Sequence, residues 1–475
     1  MKTALLFATS VFLLATSVVA QTPKRNILFI GVDDLRLDLG CYGDDFMKTP
    51  NIDGLARNGL LFEHAYCQQA ICAASRISLM TGMRPDTTGV YDLQHPLNKT
   101  LPDAMSMPRF FQENGYRTVS LGKIYHHGND DKAFWDVVDS CAQPAYATPE
   151  VLAMIAEKTK RGRLAGMRGK ELRKFTKGPA YEIGDVADST YTDGVIADEA
   201  IKQLRQKDDR PFFLAVGFKK PHLPLVAPKI YFDMYDPADI EIPSREDPVG
   251  AADQATTSWG ELRAYQGIPA KGDLSDDQTR SMIHAYRACV SYVDAQIGRV
   301  LDELDKQGLR ESTLIVFWSD HGWKVGDYGD WCKHTNFELD THVPLIFSGA
   351  GIPSGKRTEA MTEYIDIYPT LSQWCGLVTP KTCEGKSLFP IFTDPSLPGK
   401  KAALSQYPRG GMGYSLRSGN WRYTRWQRKN GEVMARELYD HSKTDLATKN
   451  VVELPENENT VKQLDELLNE IVDKK

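Results

Sequence analysis

Four stretches of this 475-residue chain are apolar runs that stop abruptly at charged or polar side chains. Each run has the length and composition of a buried strand in a parallel sheet. The runs and the polar residues that follow them are Ile27–Val32 before Asp33 and Asp34, "TVSL" before Lys123 and His126, "FFLAVGF" before Lys219, Lys220 and His222, and Leu314–Trp318 before Asp320 and His321. We therefore predict four buried strands with polar exits.

The long segment before the fourth run has helical periodicity. Ser275 and Gln278 have the spacing of a capping box, an apolar stripe extends from Ile283 to Leu304, and Gly308 follows as a stop. Strands that alternate with helices predict an α/β fold with a large, mostly parallel sheet flanked by helices. Because ligands bind at the carboxyl ends of such strands, we expect the four polar exits to meet at one edge of the sheet.

The pattern changes after residue 392. "TDPSLPGKKAA" is rich in Pro, Gly and Lys, and "GYSLRSGNWRYTRWQ" alternates and is aromatic, as antiparallel strands are; a charged helix is predicted from about Glu456. We predict an α/β domain over 22–392 and a smaller C-terminal α+β subdomain with an antiparallel sheet over 393–475.

The first 20 residues have the composition of a secretory signal peptide: Lys2, an apolar run from Ala4 to Val19, and small residues up to Ala20. The run is shorter than the roughly 20 apolar residues of a spanning helix. We therefore expect cleavage after Ala20, a secreted or periplasmic location, and no membrane span in the mature protein. Eight cysteines are too few for a disulfide framework, and Cys375 with Cys383 is the pair that we expect to be bridged.

The net charge of −6 argues against a general nucleic-acid binder, which needs a basic surface. One segment departs from this balance. Lys158–Lys177 holds nine Lys or Arg residues against one Glu. We interpret it as a solvated face; the alternative is a strip that attracts a polyanion.

The strand exits carry candidate chemistry. Three carboxylates and one imidazole form an oxygen-rich set that suits Ca²⁺ or Mg²⁺ rather than a structural zinc site: Asp33, Asp34, Asp320 and His321. Four further residues add positive charge and hydrogen-bond donors, which suits an anionic substrate: Lys123, His126, His222 and Lys333. Any one of these residues alone is explained equally well as a cap or a core residue. Three other histidines, His127, His284 and His342, are expected to be structural.

Cys72, in "ICAASRISLMTG", is a candidate nucleophile. A helix N-terminus and Arg76 would favour its thiolate, which would make the protein a cysteine hydrolase. A thiolate is, however, a soft ligand, and soft ligands bind hard cations such as Ca²⁺ or Mg²⁺ poorly. Chemical conversion of Cys72 into an oxygen nucleophile is the alternative.

The stretch from Cys72 to Arg76, followed by Thr81 and Gly82, resembles the sulfatase signature C-x-P-S-R with a later T-G, whose cysteine is oxidised to Cα-formylglycine. Ala74 stands where the family usually has Pro. Similar motifs cover nearly the whole mature chain, among them "GVDDLRLDLGCYG", "GYRTVSLGKIYHHG", "GFKKPHLPL" and "SDHGWKVGDYGDWCKHTNFELD". Within the family they are most similar to the iduronate-2-sulfatase branch.

This resemblance implies an alkaline-phosphatase-like fold and a calcium site, with Mg²⁺ as the other candidate ion. The ligands would be Asp33, Asp34, Asp320, His321 and an oxygen of the formylglycine made from Cys72. The hydrated formylglycine would attack sulfur, carry the sulfate covalently and then release it. Formation of this residue would require a formylglycine-generating or other sulfatase-maturating enzyme as a partner.

The resemblance also assigns roles to the remaining polar residues. Arg76 and Lys123 would steady the formylglycine hydrate, and His126 would help to remove its proton. His222 and Lys333 would hold the sulfate ester, and His222 would protonate the departing sugar oxygen. Trp323 is expected beside a sugar face, and His334 either in the substrate site or directly behind it.

The implied substrate is a 2-O-sulfate on a uronic acid. Three alternatives stay open. They are a sulfatase acting on another sulfated polysaccharide such as an algal glycan, a phosphodiesterase or phosphonate hydrolase of the same superfamily, and an inactive glycan-binding protein in which Cys72 stays a thiol.

Overall fold

The computed structural model describes residues 25–126 and 131–472. The predicted signal peptide at 1–20 and His127 lie outside these ranges. Within them, no helix combines the length and apolar character needed to cross a membrane.

The strands of the described residues fall into one large sheet, one C-terminal sheet and three small pairs. In chain order they are β1 (Asn26–Asp33), β2 (Gly59–Phe62), β3 (Ala65–Tyr66), β4 (Arg117–Gly122), β5 (Val137–Asp139), β6 (Tyr181–Gly184), β7 (Phe212–Pro221), β8 (Leu225–Pro228), β9 (Thr313–Ser319), β10 (Lys324–Val325), β11 (Trp331–Cys332), β12 (Leu345–Gly349), β13 (Lys356–Thr358), β14 (Thr362–Glu363), β15 (Ala403–Pro408), β16 (Met412–Ser418), β17 (Trp421–Gln427) and β18 (Val433–Asp440).

Helices lie on both faces of the large sheet. In chain order they are α1 (Pro50–Arg57), α2 (Cys72–Thr81), α3 (Pro85–Thr88), α4 (Leu97–Thr100), α5 (Met107–Glu113), α6 (Pro149–Leu164), α7 (Gly169–Phe175), α8 (Thr192–Leu204), α9 (Lys229–Phe232), α10 (Gly260–Arg263), α11 (Asp276–Lys306), α12 (Glu338–Thr341), α13 (Ile367–Trp374), α14 (Phe389–Thr393) and α15 (Glu458–Val472).

The large sheet has eight strands in the order β13-β2-β12-β9-β1-β7-β4-β5. All are parallel except β12, which runs antiparallel to both of its neighbours. The four apolar runs of the sequence are β9, β1, β7 and β4, which are consecutive neighbours in this order. The predicted mostly parallel sheet is therefore confirmed, and its four polar exits share one edge.

The alternation of side chains along β1 builds two core layers. Leu28 and Ile30 face the layer that contains α11, whereas Ile27 and Phe29 face the layer that contains α2. Each fully buried side chain of this size contributes roughly 1.5–3 kcal/mol of hydrophobic stabilisation. The sheet therefore holds the start of α2 in a fixed position relative to the strand ends.

The predicted caps of α11 are also confirmed. The Ser275 hydroxyl accepts from the Gln278 amide and the Gln278 side chain accepts from the Ser275 amide, each at 3.2 Å. Gly308, just past the helix end, adopts φ +68°, a left-handed conformation that suits glycine.

The C-terminal sheet consists of β15 to β18 in sequential antiparallel order. Leu464 and Leu468 of α15 pack against its apolar face, next to Leu416 and Leu438. A small antiparallel sheet with one helix is the C-terminal arrangement that the sequence predicted. The limit at residue 392 stays a prediction.

The predicted disulfide between Cys375 and Cys383 is wrong in this structure, where both are free thiols. The two side chains have different neighbours. The Cys383 thiol lies 3.8 Å from the Thr81 carbonyl at the end of α2, whereas Cys375 interacts with the Tyr116 hydroxyl. Spacing in the sequence could not reveal that the two thiols serve separate contacts.

Candidate active site

The carboxyl ends of β1 and β9 bring three aspartates together. Asp33 ends β1, Asp34 follows with φ +62°, and Asp320 follows β9. The Asp34 amide donates to the Asp320 carboxylate at 3.1 Å, which ties the two strand ends together. All three side chains are at most 1% exposed, so their charges are removed from water.

Cys72 is the first residue of α2, and Ile71 before it has extended backbone. Its sulfur lies 3.3 Å from His321 Nε2 and 3.5 Å from Lys123 Nζ. Burial raises the pKa of this thiol well above its ordinary value, although Lys123 opposes the shift. The site therefore disfavours a thiolate nucleophile, in contrast to the cysteine hydrolase considered from the sequence.

Arg76 lies one helical turn after Cys72 and is fully buried. Its Nε donates to Asp320 at 2.8 Å and its Nη2 donates to Asp33 at 3.0 Å. The same guanidinium stacks on the Trp318 ring at 5.4 Å. Arg76 thus links α2 to the carboxylates at the ends of both strands.

Lys123 leaves the end of β4 and reaches Asp33, with Nζ 2.5 Å from the carboxylate. Burial opposes the charge of Asp33, but Lys123, His222 and Arg76 outweigh it and hold its pKa well below the usual range. Asp33 is therefore ionised in the folded protein.

On the other side of the cluster, Lys333 and His222 share a carboxylate. Lys333 Nζ lies 3.0 Å from Asp34 and 2.9 Å from Glu261, and His222 Nε2 lies 3.1 Å from Glu261. Burial disfavours ionisation of Glu261, but Lys333 and His222 hold its pKa well below the usual range. Sequence analysis missed Glu261, which lies in the four-residue helix α10 without any periodic or motif signal.

The donor set fits a hard divalent cation. The ligand atoms of Asp33, Cys72 and Asp320 all lie within 4.8 Å of one another, and so do those of Asp34, Cys72 and His321. Three buried carboxylates around one point provide the oxygen ligands that Ca²⁺ or Mg²⁺ prefers. The residues predicted as metal ligands are thus brought together.

A family model for sulfatases matches residues 25–377, which is more than half of the chain. The chain belongs to the sulfatase family. Iduronate 2-sulfatase of Homo sapiens is 36% identical over 86% of this chain and 86% of its own length. This sulfatase is therefore a sulfuric ester hydrolase.

Solved structures share the fold of this sulfatase. One is a complex with its substrate D-glucosamine-2-N,6-O-disulfate (TM-score 0.76, 22% identity, 95% of this chain and 99% of that chain). Another is the phosphonate monoester hydrolase of Agrobacterium radiobacter (TM-score 0.73, 23% identity, 95% of this chain and 96% of that chain). At these identities the likeness shows the alkaline-phosphatase-like fold alone.

The remaining predicted site residues of the sulfatase are His126, His334 and Trp323. His126 is partly exposed in the segment after β4, three residues beyond Lys123. His334 is half-buried beside Tyr407, and burial, followed by the charge of Lys333, lowers its pKa to about 3. His334 is therefore a neutral ring next to Lys333 rather than a further cation.

Trp323 differs from its expected place beside a sugar. Its ring is 1% exposed and lies under Lys333, whose Nζ is 4.7 Å from the ring centre. A cation above an aromatic face is attracted by the electron-rich ring. In the described structure Trp323 thus supports Lys333 and leaves no open ring face.

A cavity of about 260 Å³ opens beside the cluster of the sulfatase. Asp33, Lys123, Lys220 and His222 contribute to its lining. Lys220 itself donates to the carbonyls of His222 and Pro224, at 2.5 and 2.6 Å, and thereby shapes the loop that carries His222. The cavity is open to the ends of β1, β4 and β7.

Proposed function

We propose that this sulfatase removes a 2-O-sulfate from a uronic acid, with Cys72 converted to formylglycine. The observation that carries the proposal is the position of the Cys72 sulfur, 3.3 Å from His321 and 3.5 Å from Lys123 at the edge where three carboxylates meet. The 36% identity to human iduronate 2-sulfatase supports the uronic acid as the sugar.

We propose that one divalent cation, Ca²⁺ with Mg²⁺ as the other candidate, is held by Asp33, Asp34, Asp320, His321 and residue 72. When bound, the cation supplies stabilisation of negative charge on the substrate and on the attacking oxygen. The formylglycine hydrate supplies the oxygen nucleophile that a buried, protonated thiol lacks. Lys333 and Lys123, which contact Asp34 and Asp33 in the structure, are then available to the sulfate group.

The chain's own residues orient and protonate the reactants. Arg76 and Lys123 hold residue 72, and His126 accepts its proton. His222 Nδ1 donates to the Leu223 carbonyl at 2.7 Å, so Nε2 faces Glu261 and Asp34. A proton on Nε2 is the one that His222 delivers to the departing sugar oxygen. Trp323, His334 and Glu261 position Lys333 and His222 around the sulfate.

The export of the protein is part of the same proposal. A signal peptide at 1–20 would direct the chain to a secreted or periplasmic location, where sulfated glycans are found. Conversion of Cys72 requires a formylglycine-generating or other maturating enzyme. Ala74, which stands in place of the family's usual Pro, lies in the first turn of α2, and Cys72 is the first residue of this helix.

The test is mass spectrometry of the tryptic peptide that contains Cys72, after co-expression with a formylglycine-generating enzyme. Replacement of CH₂SH by CHO gives an expected loss of about 18 Da. The converted protein should hydrolyse a disaccharide with a 2-O-sulfated terminal uronic acid, whereas the Cys72→Ala variant should not. Cys41→Ser, a half-exposed cysteine away from the cluster, is the matched control and should stay active.

Each alternative has its own result in this experiment. An unconverted thiol with retained glycan binding would contradict the formylglycine and leave a binding protein. Hydrolysis of other sulfated sugars, algal glycans included, would contradict the 2-O-uronate specificity alone. A preference for phosphate diesters or phosphonate monoesters would overturn sulfate as the main substrate.

A further inference from the structure

A second group of ligand-type side chains lies where α12 meets the segment after β18. Glu338 and His342 are one helical turn apart, and Asp445 comes from the C-terminal part of the chain. His342 Nδ1 is 3.6 Å from Glu338 Oε2 and 3.9 Å from Asp445 Oδ2. All three ligand atoms lie within 4.8 Å of one another. None of these residues belongs to the cluster around Cys72.

The hydrogen bonds of His342 fix which ring nitrogen can act as a ligand. Nε2 is 2.6 Å from the Glu63 carbonyl, which can only accept, so Nε2 carries the hydrogen. In the neutral ring, Nδ1 then carries a lone pair, and this lone pair faces two carboxylate oxygens. Histidines that bind metals commonly donate their other N–H to a carbonyl in this way.

The ring of His342 is also held in place by its neighbours. Tyr66 stacks on it with ring centres 4.8 Å apart and an angle of 20°, and His64 lies at 6.0 Å. A ring that is fixed by stacking and by one hydrogen bond loses little freedom when it binds a metal. The geometry is therefore preorganised.

Two buried atoms of this group have no hydrogen-bond partner among the described residues. Glu338 is 1% exposed; its Oε1 contacts Arg422 at 2.9 Å and Arg417 at 2.5 Å, but its Oε2 has no such partner. His342 is 8% exposed, and its Nδ1 is likewise without a partner. Buried polar atoms left in this state are costly and rare, which indicates a missing ligand between them.

A cation can reach the group from the surface. A cavity of about 220 Å³ is lined by Glu338, His342 and Asp445, and a larger one of about 860 Å³ also contains His342 and Asp445. The larger lining carries five carboxylates and one lysine: Asp38, Asp44, Asp45, Glu63, Asp445 and Lys48. Although Asp38 pairs with Arg36 and Glu63 with Arg357, the remaining charge attracts cations.

We propose that Glu338, His342 and Asp445 bind Zn²⁺, with water as the fourth ligand. Bonds of about 2.0–2.1 Å in a tetrahedron give ligand separations of about 3.3–3.4 Å. His342 Nδ1 lies 3.6 Å from the Glu338 oxygen and 3.9 Å from the Asp445 oxygen, so these atoms must move together by only a few tenths of an ångström. The Asp445 side chain is 53% exposed and can make this movement. The ion would join α12 to the C-terminal segment, and the site is independent of the proposed sulfate ester chemistry.

The first test is calorimetric titration of the purified protein with ZnCl₂ in a buffer that contains excess CaCl₂, so that the site around Cys72 is already occupied. Wild type should bind one zinc ion that His342→Gln loses, with affinity reduced at least tenfold, because even outer partners of a metal site contribute about 10–100-fold. His95→Gln, which removes an exposed histidine paired with Asp92, is the matched control and should bind like wild type.

The second test is anomalous diffraction at the zinc edge from crystals soaked in ZnCl₂. A peak bonded to Glu338, His342 and Asp445 supports the site. If His342→Gln does not fold, Asp445→Asn removes the exposed ligand without disturbing the core and should also lose the peak. No peak at this position, or zinc binding that both variants retain, overturns the proposal and leaves His342 as a structural residue that contacts two carboxylates.

Discussion

Glu261 shows how one side chain can control two others of different function. It reaches both His222 and Lys333, at 3.1 and 2.9 Å. Asp34 also contacts both of these residues, with His222 at 3.9 Å and Lys333 at 3.0 Å. Its two contacts hold the His222 ring and the Lys333 ammonium on either side of one carboxylate. The distance between the proposed proton donor, His222, and the proposed sulfate-binding cation, Lys333, therefore depends on Glu261.

We expect Glu261→Gln to lower kcat/KM for a sulfate ester about 100-fold, because misplacement of a reacting group by about 1 Å has effects of this size. The loss should fall mainly on kcat, because Glu261 positions His222 and Lys333. Steady-state kinetics would separate the effect on kcat from that on KM. Glu432→Gln, in an exposed pair with Arg428, is the control; equal activity of the two variants would contradict the positioning role.

Removal of the divalent cation should abolish activity. A chelator such as EDTA should reduce the rate below about 1% of its starting value, since a catalytic cation contributes several kcal/mol to the barrier. CaCl₂ alone should restore it. The same loss and recovery are expected for His342→Gln, because the zinc site proposed at Glu338 is separate. Full activity in EDTA would exclude a weakly held catalytic cation.

At the scale of elements, the sequence pattern was sufficient to predict that the polar strand exits share one edge of the sheet. An apolar run precedes each of Asp33, Lys123, His222 and Asp320. The parallel sheet brings the ends of these runs together, independently of the conformation of the loops. The antiparallel direction of β12 was not predictable, because it depends on pairing with β2 and β9. Loop-borne contacts such as that of Glu261, and the burial of Trp323 under Lys333, depend on tertiary packing and leave no periodic signal.

The packing between β1 and β9 leaves no space for a side chain at Gly31. Gly31 pairs with Trp318, and a Cβ there would lie 2.5 Å from the Trp318 ring. We expect Gly31→Ala to cost about 1–3 kcal/mol of unfolding free energy through overpacking. Because Arg76 stacks on the same ring, activity should fall as well.

Urea unfolding and the assay with a sulfate ester would measure the two effects of Gly31→Ala. Gly54→Ala in α1 is the matched control, since its Cβ would meet no atom closer than 3.7 Å. If both variants were as stable and active as wild type, Trp318 would have room to move and the argument would fail.

At the scale of the whole molecule, buried charges connect the C-terminal sheet to the rest of the described chain. Glu363 accepts from Arg84 at 2.6 Å, from Lys400 at 2.5 Å and from the Leu404 amide at 3.0 Å. Glu338 likewise forms ion pairs with Arg417 and Arg422 of the C-terminal sheet. Both carboxylates come from the sulfatase-matched region, as does Arg84, whereas the other partners named above lie in the C-terminal strands or just before them.

Acid should weaken this connection. Burial opposes ionisation of Glu363, but Arg84 and Lys400 hold its pKa well below its usual range. A carboxyl with a depressed pKa stabilises the fold above the unfolded value of about 4.5, and the effect is lost as pH falls through the folded value. Glu363→Gln should cost about 3–5 kcal/mol at pH 7, because it removes a buried carboxylate that pairs with both Arg84 and Lys400.

Unfolding free energies of wild type and Glu363→Gln at pH 7 and pH 3 would test this dependence. The difference between the two proteins should shrink at pH 3, because the wild-type carboxyl begins to lose its advantage there. A difference that is independent of pH would show that the charge of Glu363 is not what stabilises the fold. Glu432→Gln serves again as the exposed control.

The basic segment Lys158–Lys177 forms the end of α6 and all of α7, and most of its cations are exposed. It leads toward the active site: Lys158 contacts the Gln266 side chain at 3.1 Å, and Lys177 lies 4.0 Å above Tyr265, close to α10 and Glu261. A positive surface beside the site would attract sulfated polymers.

We expect this attraction to appear as a salt dependence. For a sulfated polysaccharide, kcat/KM should fall at least tenfold between 20 and 300 mM NaCl, on the order of electrostatically steered encounters. The charge-reversed variant Arg163→Glu/Lys170→Glu/Arg173→Glu should lose most of this dependence while a sulfated disaccharide reacts as before. Equal salt dependence of the variant and wild type would show that the segment does not attract the polymer and is only a solvated surface.

All ten residues of α2, Cys72 included, are buried. A modifying enzyme needs access to the segment that it modifies. A helix at the centre of the core becomes exposed only when the protein unfolds globally. If Cys72 is converted to formylglycine as proposed, the oxidation must therefore be complete before α2 packs against the sheet. Folding would then compete with conversion, and a molecule that folds first would keep its thiol until it unfolds again. Slower folding should raise the active fraction of this enzyme.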